Sequence, residues 1–317
     1  QRQMCIRDRC CVDTLHRVTI TGLEKNTTYF YRVLSQEVKE LLPYRPVLGN
    51  IVSTDIWEKP LTFTTLDGRQ ETLSIVMIND IHGKNDLQKK LLEMAPPQNV
   101  DMVVFCGDMC NYINKQSDIF TGFLDTSVGL FASRKPFVYV RGNHETRGAY
   151  ARNFFRYLAG PEGKFYYAFT YGPIRFIVLD SGEDKPDTDV EYSGLVDFDN
   201  YILEQKEWLA RELESPEFRA ASFRVVLSHI PFGKGSWYGS ERLRKQLLPL
   251  LESVRIDLML SGHNHAFGFM DKGKVTAFPI IVNSNNSVLT MFGSKDLLKV
   301  QVKQIDGKVL LEKEFSK

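Results

Sequence analysis

Side chains of the types that bind metal ions follow apolar segments at five separate places in this 317-residue chain. Five of its six histidines belong to this set, and His16 alone lies elsewhere. A single histidine after a buried strand is usually structural, but five such positions joined by two aspartates are hard to produce by chance. The candidate residues are Asp80, His82, Asp108, Asn143, His144, His229, His263 and His265.

The donor types of this set indicate a particular chemistry. Imidazole, carboxylate and amide oxygen without thiolate suit borderline or harder ions such as zinc, iron and manganese. The candidates are too many for one four- or six-coordinate ion, but they fit two ions that share a bridging carboxylate, whose two oxygens can each face a different ion. Two ions about 3.5–4 Å apart generate a hydroxide and clamp the attacking and leaving oxygens of a displacement at phosphorus. The set therefore predicts phosphoester hydrolysis.

The segments that must position these side chains read as buried strands. They are near-continuous apolar runs, and helical patterns with apolar residues three and four apart lie between several of them. Strands alternating with helices predict an α/β fold, in which ligands bind at the carboxyl ends of the strands. A final hairpin is predicted around Asp306-Gly307. The predicted strands are 73–78, 100–105, 137–140, 174–180, 223–228 and 256–261, and the predicted helices are 86–95, 198–214 and 241–254.

The front of the chain predicts a separate all-β unit over residues 13–66. LHRVTI, TYFYRVLS and PLTFTT are short runs rich in β-branched and aromatic residues. The stretch leading to Tyr29 resembles a fibronectin type III repeat near its tyrosine corner, and a whole repeat needs about 90–100 residues. We therefore expect a partial, truncated domain; the alternative is a few strands of the main domain. Residues 1–12 are expected to be a non-native or unstructured leader.

The order of the motifs resembles the calcineurin-like metallophosphoesterases over residues 70–317, and the fibronectin-like front is similar to the purple acid phosphatase branch. The resemblance implies two mixed β-sheets packed as a sandwich and flanked by helices, a four-layer α/β/β/α arrangement. It also implies hydrolysis of phosphate esters at two divalent ions, which could be Mn, Zn, Fe or Mg. The motifs are D-x-H at 80–82, G-D at 107–108, G-N-H-E at 142–145, His229 closing a strand, and G-H-x-H at 262–265.

The resemblance also implies roles for individual residues. His144 would stabilise the phosphoryl oxygens or protonate the leaving group. Arg141 would bind phosphate with its planar fork, the alternative being a solvated strand end. The metal ligands would be Asp80, His82 and His265 for the first ion and Asn143, His229 and His263 for the second, with Asp108 as the catalytic bridge between them.

Two positions depart from the purple acid phosphatase pattern. That branch has a tyrosine three residues after the bridging aspartate, where this chain has Asn111, with Tyr112 one residue later. It also lacks a histidine two residues after the first aspartate, where this chain has His82. We therefore expect no iron–phenolate bond and a colourless enzyme, or a mixed iron centre without the phenolate. Asn111 could instead orient His144 from outside the metal shell.

The sequence identifies the residues that contact the substrate less specifically than the metal ligands. The Gly-rich segment 230–241 carries Trp237 and Tyr238, which could stack on a substrate or cover the edge of the core. The leading prediction is a phosphomonoesterase that resembles acid phosphatases and acts on a small phosphorylated substrate. The alternatives are a phosphodiesterase for cyclic nucleotides or glycerophosphodiesters, and a non-catalytic metal-binding module.

Composition excludes some other classes. With 40 basic and 39 acidic residues, the net charge of +1 does not indicate a nucleic-acid-binding surface. No apolar run approaches the roughly 18 residues needed to span a bilayer. Cys106 and Cys110 flank the turn at 107–108 and indicate no disulfide framework. A fibronectin-like unit ahead of a phosphoesterase is usual in exported enzymes, so export is expected.

Overall fold

The structure is a computed structural model, and its contacts group the chain into two compact units, Gln1–Arg69 and Gln70–Lys317. The division falls between the ranges 13–66 and 70–317 that the sequence separates, while the leader 1–12 lies outside the described residues. No helix in the described part of the chain has the length and hydrophobicity that crossing a bilayer requires. The described residues are 15–16, 18–55, 57–66, 70–233 and 235–317.

The described residues of the first unit form two antiparallel strand pairs. β1 (Thr28–Tyr31) pairs with β4 (Leu61–Thr64), and β2 (Leu34–Leu42) pairs with β3 (Arg45–Ser53). The strand predicted over LHRVTI is wrong, since its described residues form no strand. The sequence did not predict the β2–β3 hairpin, because charged residues interrupt the alternation of apolar side chains and its turn carries no Asn-Gly signal.

A contact of Tyr29 resembles a tyrosine corner. The main-chain N–H of Glu24 donates a hydrogen bond to the Tyr29 Oη atom at 2.8 Å, and the Tyr29 ring stacks on Phe63 at a centroid distance of 5.7 Å. A tyrosine on a strand that bonds to main chain a few residues upstream is typical of fibronectin-like sandwiches. The assignment of this unit to that domain family stays a prediction.

Twelve strands in the described residues of the second unit form two six-stranded mixed sheets. They are β5 (Leu73–Ile78), β6 (Met102–Cys106), β7 (Phe137–Val140), β8 (Tyr167–Tyr171), β9 (Ile174–Leu179), β10 (Phe223–Ser228), β11 (Leu258–Ser261), β12 (Gly268–Met270), β13 (Ile280–Val282), β14 (Ser287–Gly293), β15 (Leu297–Gln304) and β16 (Val309–Ser316). The first sheet has the order β16-β15-β14-β5-β6-β7 and the second β12-β13-β11-β10-β9-β8. In the first sheet β5, β6 and β7 are parallel, and in the second β9, β10, β11 and β13 are parallel.

Helices connect these strands. The α-helices are α1 (Asn85–Met94), α2 (Gln116–Ile119), α3 (Asp125–Ser127), α4 (Phe155–Leu158), α5 (Phe198–Leu213), α6 (Pro216–Ala220), α7 (Tyr238–Gln246) and α8 (Leu248–Glu252). Single π-helical turns lie at Phe120–Leu124 and Val128–Ala132, and 3₁₀ turns lie at Pro97–Asn99, His144–Thr146, Ala151–Asn153 and Pro161–Gly163.

The apolar core shows why the unit has four layers. On β5, Ile75 and Met77 pack into a cluster shared by both sheets, whereas Val76 and Ile78 face the opposite way, toward α1. Successive side chains of a strand point to opposite faces, so a strand that is apolar throughout must be covered on both sides. A third cluster lies between the second sheet and α5, α7 and α8. The predicted α/β/β/α sandwich of mixed sheets is confirmed.

Candidate metal centre

The candidate ligands come from loops that follow five strands. Asp80 and His82 follow β5, Asp108 follows β6, and Asn143 follows β7 in the first sheet. The remaining ligands follow β10 and β11 in the second sheet. Because the strands concerned are parallel within each sheet, their carboxyl ends lie at one edge and bring these loops together.

The first cluster consists of Asp80, His82 and His265. The Nε2 atom of His265 lies 3.2 Å from Asp80 Oδ1 and 3.1 Å from His82 Nε2. His82 Nε2 lies 3.9 Å from the same Asp80 oxygen. Three donor atoms at these separations fit around one cation, because each can lie about 2.0–2.2 Å from its centre.

The second cluster consists of Asp108, His229 and His263, with Asn143 beside them. The His229 Nε2 atom lies 3.2 Å from Asp108 Oδ2, and the His263 Nδ1 atom lies 3.1 Å from the amide oxygen of Asn143. The structure thus brings together all seven residues that the sequence predicts as ligands.

One oxygen of Asp108 joins the two clusters. Its Oδ2 atom lies 3.2 Å from His229 Nε2 in the second cluster and 3.9 Å from His82 Nε2 in the first. Its Oδ1 atom accepts a hydrogen bond from the main-chain N–H of His144 at 2.9 Å. A bridging carboxylate was predicted to turn each oxygen toward a different ion, whereas here Oδ2 faces both clusters and Oδ1 is bonded to the main chain.

Several buried atoms at this site lack partners that a cation would supply. Asp80 Oδ1 and His229 Nε2 are buried with no hydrogen-bond partner among the described residues. The other Asp80 oxygen accepts from the Asn79 amide at 2.6 Å and from the His263 N–H at 2.9 Å. The His229 Nδ1 atom lies 2.7 Å from the carbonyl oxygen of Cys106, to which it donates, so Nε2 is the ring nitrogen that faces the cluster. Buried polar groups are rarely left unpaired, and the donor set fits a divalent ion.

The backbone at the ligands is strained. Non-glycine residues seldom adopt positive φ, and each such residue costs of order 1–3 kcal/mol where surrounding structure enforces it. Such strain clusters at functional sites. Among the described residues, eight non-glycine positions have positive φ, and five of them are ligands: Asp80 (55°), His82 (50°), Asp108 (54°), His263 (72°) and His265 (54°).

Without metal, the histidines of the two clusters differ in pKa. Burial lowers the pKa of His229, but the Asp108 carboxylate outweighs burial and raises that pKa to about 10. Burial raises the pKa of Asp108, but the charge of His229 outweighs burial and leaves that pKa below the usual value. Burial lowers the pKa values of His82 and His263 to about 4. At neutral pH the cluster therefore holds a proton on His229, while His82 and His263 are free to bind metal.

Metal loading at neutral pH is expected to release about one proton from His229, because a coordinating imidazole must give up its proton. As pH falls, protons compete more strongly and metal affinity falls. Calorimetric titration with Zn²⁺ in buffers of low and high ionisation enthalpy measures the release as the buffer-dependent part of the heat. An enthalpy independent of buffer would contradict this assignment of the proton.

His144 lies at the edge of both clusters. Its Nδ1 atom donates to the main-chain oxygen of Asn111 at 2.7 Å, and its Nε2 atom lies 4.0 Å from Asp108 Oδ2. The orienting contact that the sequence assigned to Asn111 is therefore present, but it comes from the main chain rather than the side chain. Tyr112, the neighbouring tyrosine, is half exposed.

Arg141 is paired and packed rather than solvated. Its Nη2 atom lies 2.6 Å from Asp180 Oδ2, and its guanidinium stacks over the Phe165 ring at 4.4 Å. The side chain is only 14% exposed, so it is not a solvated strand end. Phosphate binding by Arg141 stays a prediction.

The two aromatic candidates differ in position. The Trp237 ring lies edge-on to His263 at a centroid distance of 5.9 Å and is 57% exposed. The Tyr238 hydroxyl instead donates to Asp199 at 2.7 Å. Trp237 therefore lies beside the second cluster, whereas Tyr238 is bound to a carboxylate on α5. Substrate contacts by these residues stay predictions.

Sequence reasoning assigned no role to Glu145, although it lies in the G-N-H-E motif. The Glu145 carboxylate is fully buried and accepts hydrogen bonds of 2.9 Å from the N–H groups of Asp108, Cys110 and Gly142. It therefore ties the loop after β6 to the loop after β7 and holds Asp108 in place. Its position directly after two site residues was the available signal.

Fold and site together define a class of protein. Residues 73–267 match the calcineurin-like phosphoesterase family, and the chain belongs to that family. Among curated proteins it is 24% identical over 273 residues to purple acid phosphatase 22 of Arabidopsis thaliana, a match that covers 80% of this chain and 53% of the relative. It is also 24% identical over 295 residues to the purple acid phosphatase of Glycine max, covering 84% of this chain and 55% of the relative. The chain spans about half the length of the curated relatives it matches.

Two solved structures resemble the fold. A purple acid phosphatase from yellow lupin seeds superposes with a TM-score of 0.64 at 17% identity, covering 93% of this chain and 60% of that chain. A dimetal phosphatase from Danio rerio superposes with a TM-score of 0.57 at 16% identity, covering 77% of this chain and 98% of that chain. At such identities these likenesses show the shared fold alone.

Proposed function

We propose that this chain hydrolyses phosphate esters at a pair of divalent metal ions. One observation carries the proposal: two clusters of ligand atoms share the Oδ2 atom of Asp108. The first ion would be held by Asp80, His82 and His265. The second ion would be held by Asn143, His229 and His263. Bound ions supply a nucleophilic hydroxide and neutralise charge on the phosphoryl oxygens.

The protein residues supply orientation and a proton. Asp108 and Glu145 hold the loops so that the donor atoms converge before a metal binds. His144 presents Nε2 toward the shared oxygen, with Nδ1 fixed by the Asn111 carbonyl. From that position His144 would protonate the leaving oxygen or donate to a phosphoryl oxygen.

For the substrate we propose a small phosphomonoester. The purple acid phosphatases among the relatives support this choice. A phosphodiesterase is the second candidate, because His82 lies in the first cluster and D-x-H motifs resemble those of many diesterases. The fibronectin-like front supports export, which fractionation of the source cells tests.

For the metals we propose two ions without a tyrosinate ligand. Asn111 occupies the position of the tyrosine that colours purple acid phosphatases, and the adjacent Tyr112 is half exposed. The identity of the ions is open among Mn, Zn, Fe and Mg, all of which accept imidazole or carboxylate donors to some degree.

Metal add-back assays test the proposal. The metal-free protein is loaded with Mn²⁺, Zn²⁺, Fe²⁺ or Mg²⁺ and assayed on p-nitrophenyl phosphate and bis-p-nitrophenyl phosphate, and its visible spectrum is recorded. We expect turnover of the monoester to exceed that of the diester, with no phenolate absorption band. The reverse preference would favour the diesterase, and turnover of neither substrate with any metal would contradict the function.

His144→Ala is expected to keep both ions and to lower kcat by about 10²–10⁴-fold, the range for loss of a general acid or base. His144 is not one of the seven proposed ligands, although its donor atom lies close enough to those of His82 and Asp108 for the three to form a further group that could hold an ion. Metal content by mass spectrometry and kcat on p-nitrophenyl phosphate measure the two effects. Loss of an ion in this variant would show that His144 is a ligand instead.

A further inference from the structure

Arg147, whose side chain is 20% exposed, and the buried Glu183 form an ion pair directly behind His144. Neither residue belongs to the predicted site. We propose that Arg147 is a positioning residue that holds His144 in its working orientation, with Glu183 anchoring Arg147. The inference rests on the proposed function, because it concerns how one residue of that site is held.

His144 has contacts on both ring nitrogens. Its Nδ1 atom donates to the Asn111 carbonyl, so in the neutral ring Nε2 carries a lone pair that needs a donor. The Nη1 atom of Arg147 lies 3.2 Å from Nε2 and is that donor. The ring also packs edge-on against His82 at a centroid distance of 4.5 Å. These contacts together fix the plane of the ring and the direction of Nε2.

Arg147 is held in turn by a carboxylate that is itself buried. The Glu183 side chain is 0% exposed and receives two parallel hydrogen bonds from Arg147, from Nε at 3.0 Å and from Nη2 at 2.8 Å. The Nη2 atom also reaches Asp184 Oδ1 at 3.2 Å. This bidentate geometry uses one edge of the guanidinium and leaves Nη1 directed at His144.

Further groups fix Glu183. The Tyr192 hydroxyl donates to Glu183 Oε2, and the Thr146 hydroxyl lies 3.2 Å from the same oxygen. Thr146 also donates to the main-chain oxygen of the ligand Asn143 at 2.6 Å. The pair is therefore built into the loop that carries Asn143 and His144, rather than added at the surface.

The spatial order Glu183, Arg147, His144 has a functional consequence. A ligand histidine is usually oriented by a partner on its second nitrogen, and loss of such a partner lowers activity about 10–100-fold. His144 bears no metal in the proposed site, so Arg147 would orient a proton-transferring group instead: Arg147 donates to Nε2 while the ring is neutral and gives up that contact when Nε2 takes up the proton it transfers. Arg147 would then act on turnover only through His144.

Non-additivity of kcat tests the inference. Arg147→Lys keeps a cation beside the buried carboxylate but loses the planar fork that reaches Glu183 and His144 together. We expect kcat on p-nitrophenyl phosphate to fall about 10–100-fold, as for loss of an orienting partner, with both metals retained and KM little changed. Combined with His144→Ala, it should lower kcat no further than His144→Ala alone, because coupled residues do not add.

Two further variants provide an alternative test and a control. Glu183→Gln removes the buried charge rather than leaving it unpaired, so it replaces Arg147→Lys as the test if that variant does not fold. Its kcat should fall less than that of Arg147→Lys, and it should again lower kcat no further when combined with His144→Ala. Arg175→Lys is the matched control, because Arg175 makes the same bidentate pair with Glu212, from Nε at 2.8 Å and from Nη2 at 2.9 Å, and neither residue belongs to the site. Its kcat should stay at the wild-type value.

The outcomes separate the inference from the function. An inactive wild type with every metal contradicts the proposed function itself. An active wild type in which the Arg147 and His144 effects multiply, or in which Arg147→Lys leaves kcat unchanged, overturns the positioning role alone. An equal fall in kcat for Arg175→Lys would show that the Arg147 effect is a general consequence of breaking a bidentate ion pair, and it would also overturn the positioning role.

Discussion

Asp108→Ala is expected to abolish metal binding and turnover together. Its Oδ2 atom faces both clusters, so its removal takes a ligand from each ion at once. It also leaves His229 with only the more distant Asp80 carboxylate, 3.9 Å away, and the His144 N–H loses its acceptor. We expect kcat to fall on the order of 10⁴-fold or more, the scale seen when a residue that acts in a unit is removed.

Metal-dependent stability makes this loss measurable without an assay. A ligand at about 100 times its Kd stabilises the folded state by about 2.7 kcal/mol, so wild-type protein should melt at higher temperature with Mn²⁺ or Zn²⁺ than without. Asp108→Ala should show no such shift. Asp86→Ala is the control, since that carboxylate is exposed on α1, and it should keep the full shift. Two ions still bound to Asp108→Ala would refute the bridge.

Much of the site was predictable because its ligands lie next to buried strands. A run such as 73–78 is apolar throughout, so its end is clear in the sequence, and the polar residues that follow must lie at the sheet edge. Motif order then identified the ligands. The resemblance also divided the ligands between the two ions. That a single oxygen of Asp108 faces both clusters was not predictable, because it depends on which carboxylate oxygen the main chain occupies.

Other parts of the unit were hidden from the sequence for physical reasons. β12 and β13 have three residues each, too short for a period to show. The 116–132 segment alternates α and π turns, which blurs a regular helical spacing. Arg147 and Glu183 were missed because a salt bridge between two loops leaves no local pattern in the sequence.

Substitution of Gly142, the glycine of the G-N-H-E motif, is expected to have a second large effect, although it removes no ligand. A Cβ atom at Gly142 would lie 2.1 Å from Asp108 Oδ1 and 2.4 Å from the Asp108 main-chain nitrogen. A main-chain atom cannot move aside as a long side chain can, so the two loops must separate. Gly142 also donates its N–H to Glu145, which would be strained by the same shift.

Gly142→Ala is therefore expected to displace Asp108, to weaken binding of both ions and to lower kcat about 10²-fold or more, the cost of misplacing reacting groups by about 1 Å. Overpacking of this kind also lowers the free energy of unfolding by about 1–3 kcal/mol. Metal content, kcat and urea unfolding of the metal-free protein measure the three effects separately.

Gly129→Ala provides the matched control for the same added methyl group. Gly129 lies in the second π-helical turn, and a Cβ atom there would meet nothing within 4 Å. That variant should bind metal normally and be neutral or more stable by about 0.4–1 kcal/mol, because alanine restricts the unfolded chain. If Gly142→Ala matched it in metal content and kcat, Asp108 would not depend on the close approach of these two loops, and the geometry of the shared oxygen would have to be reconsidered.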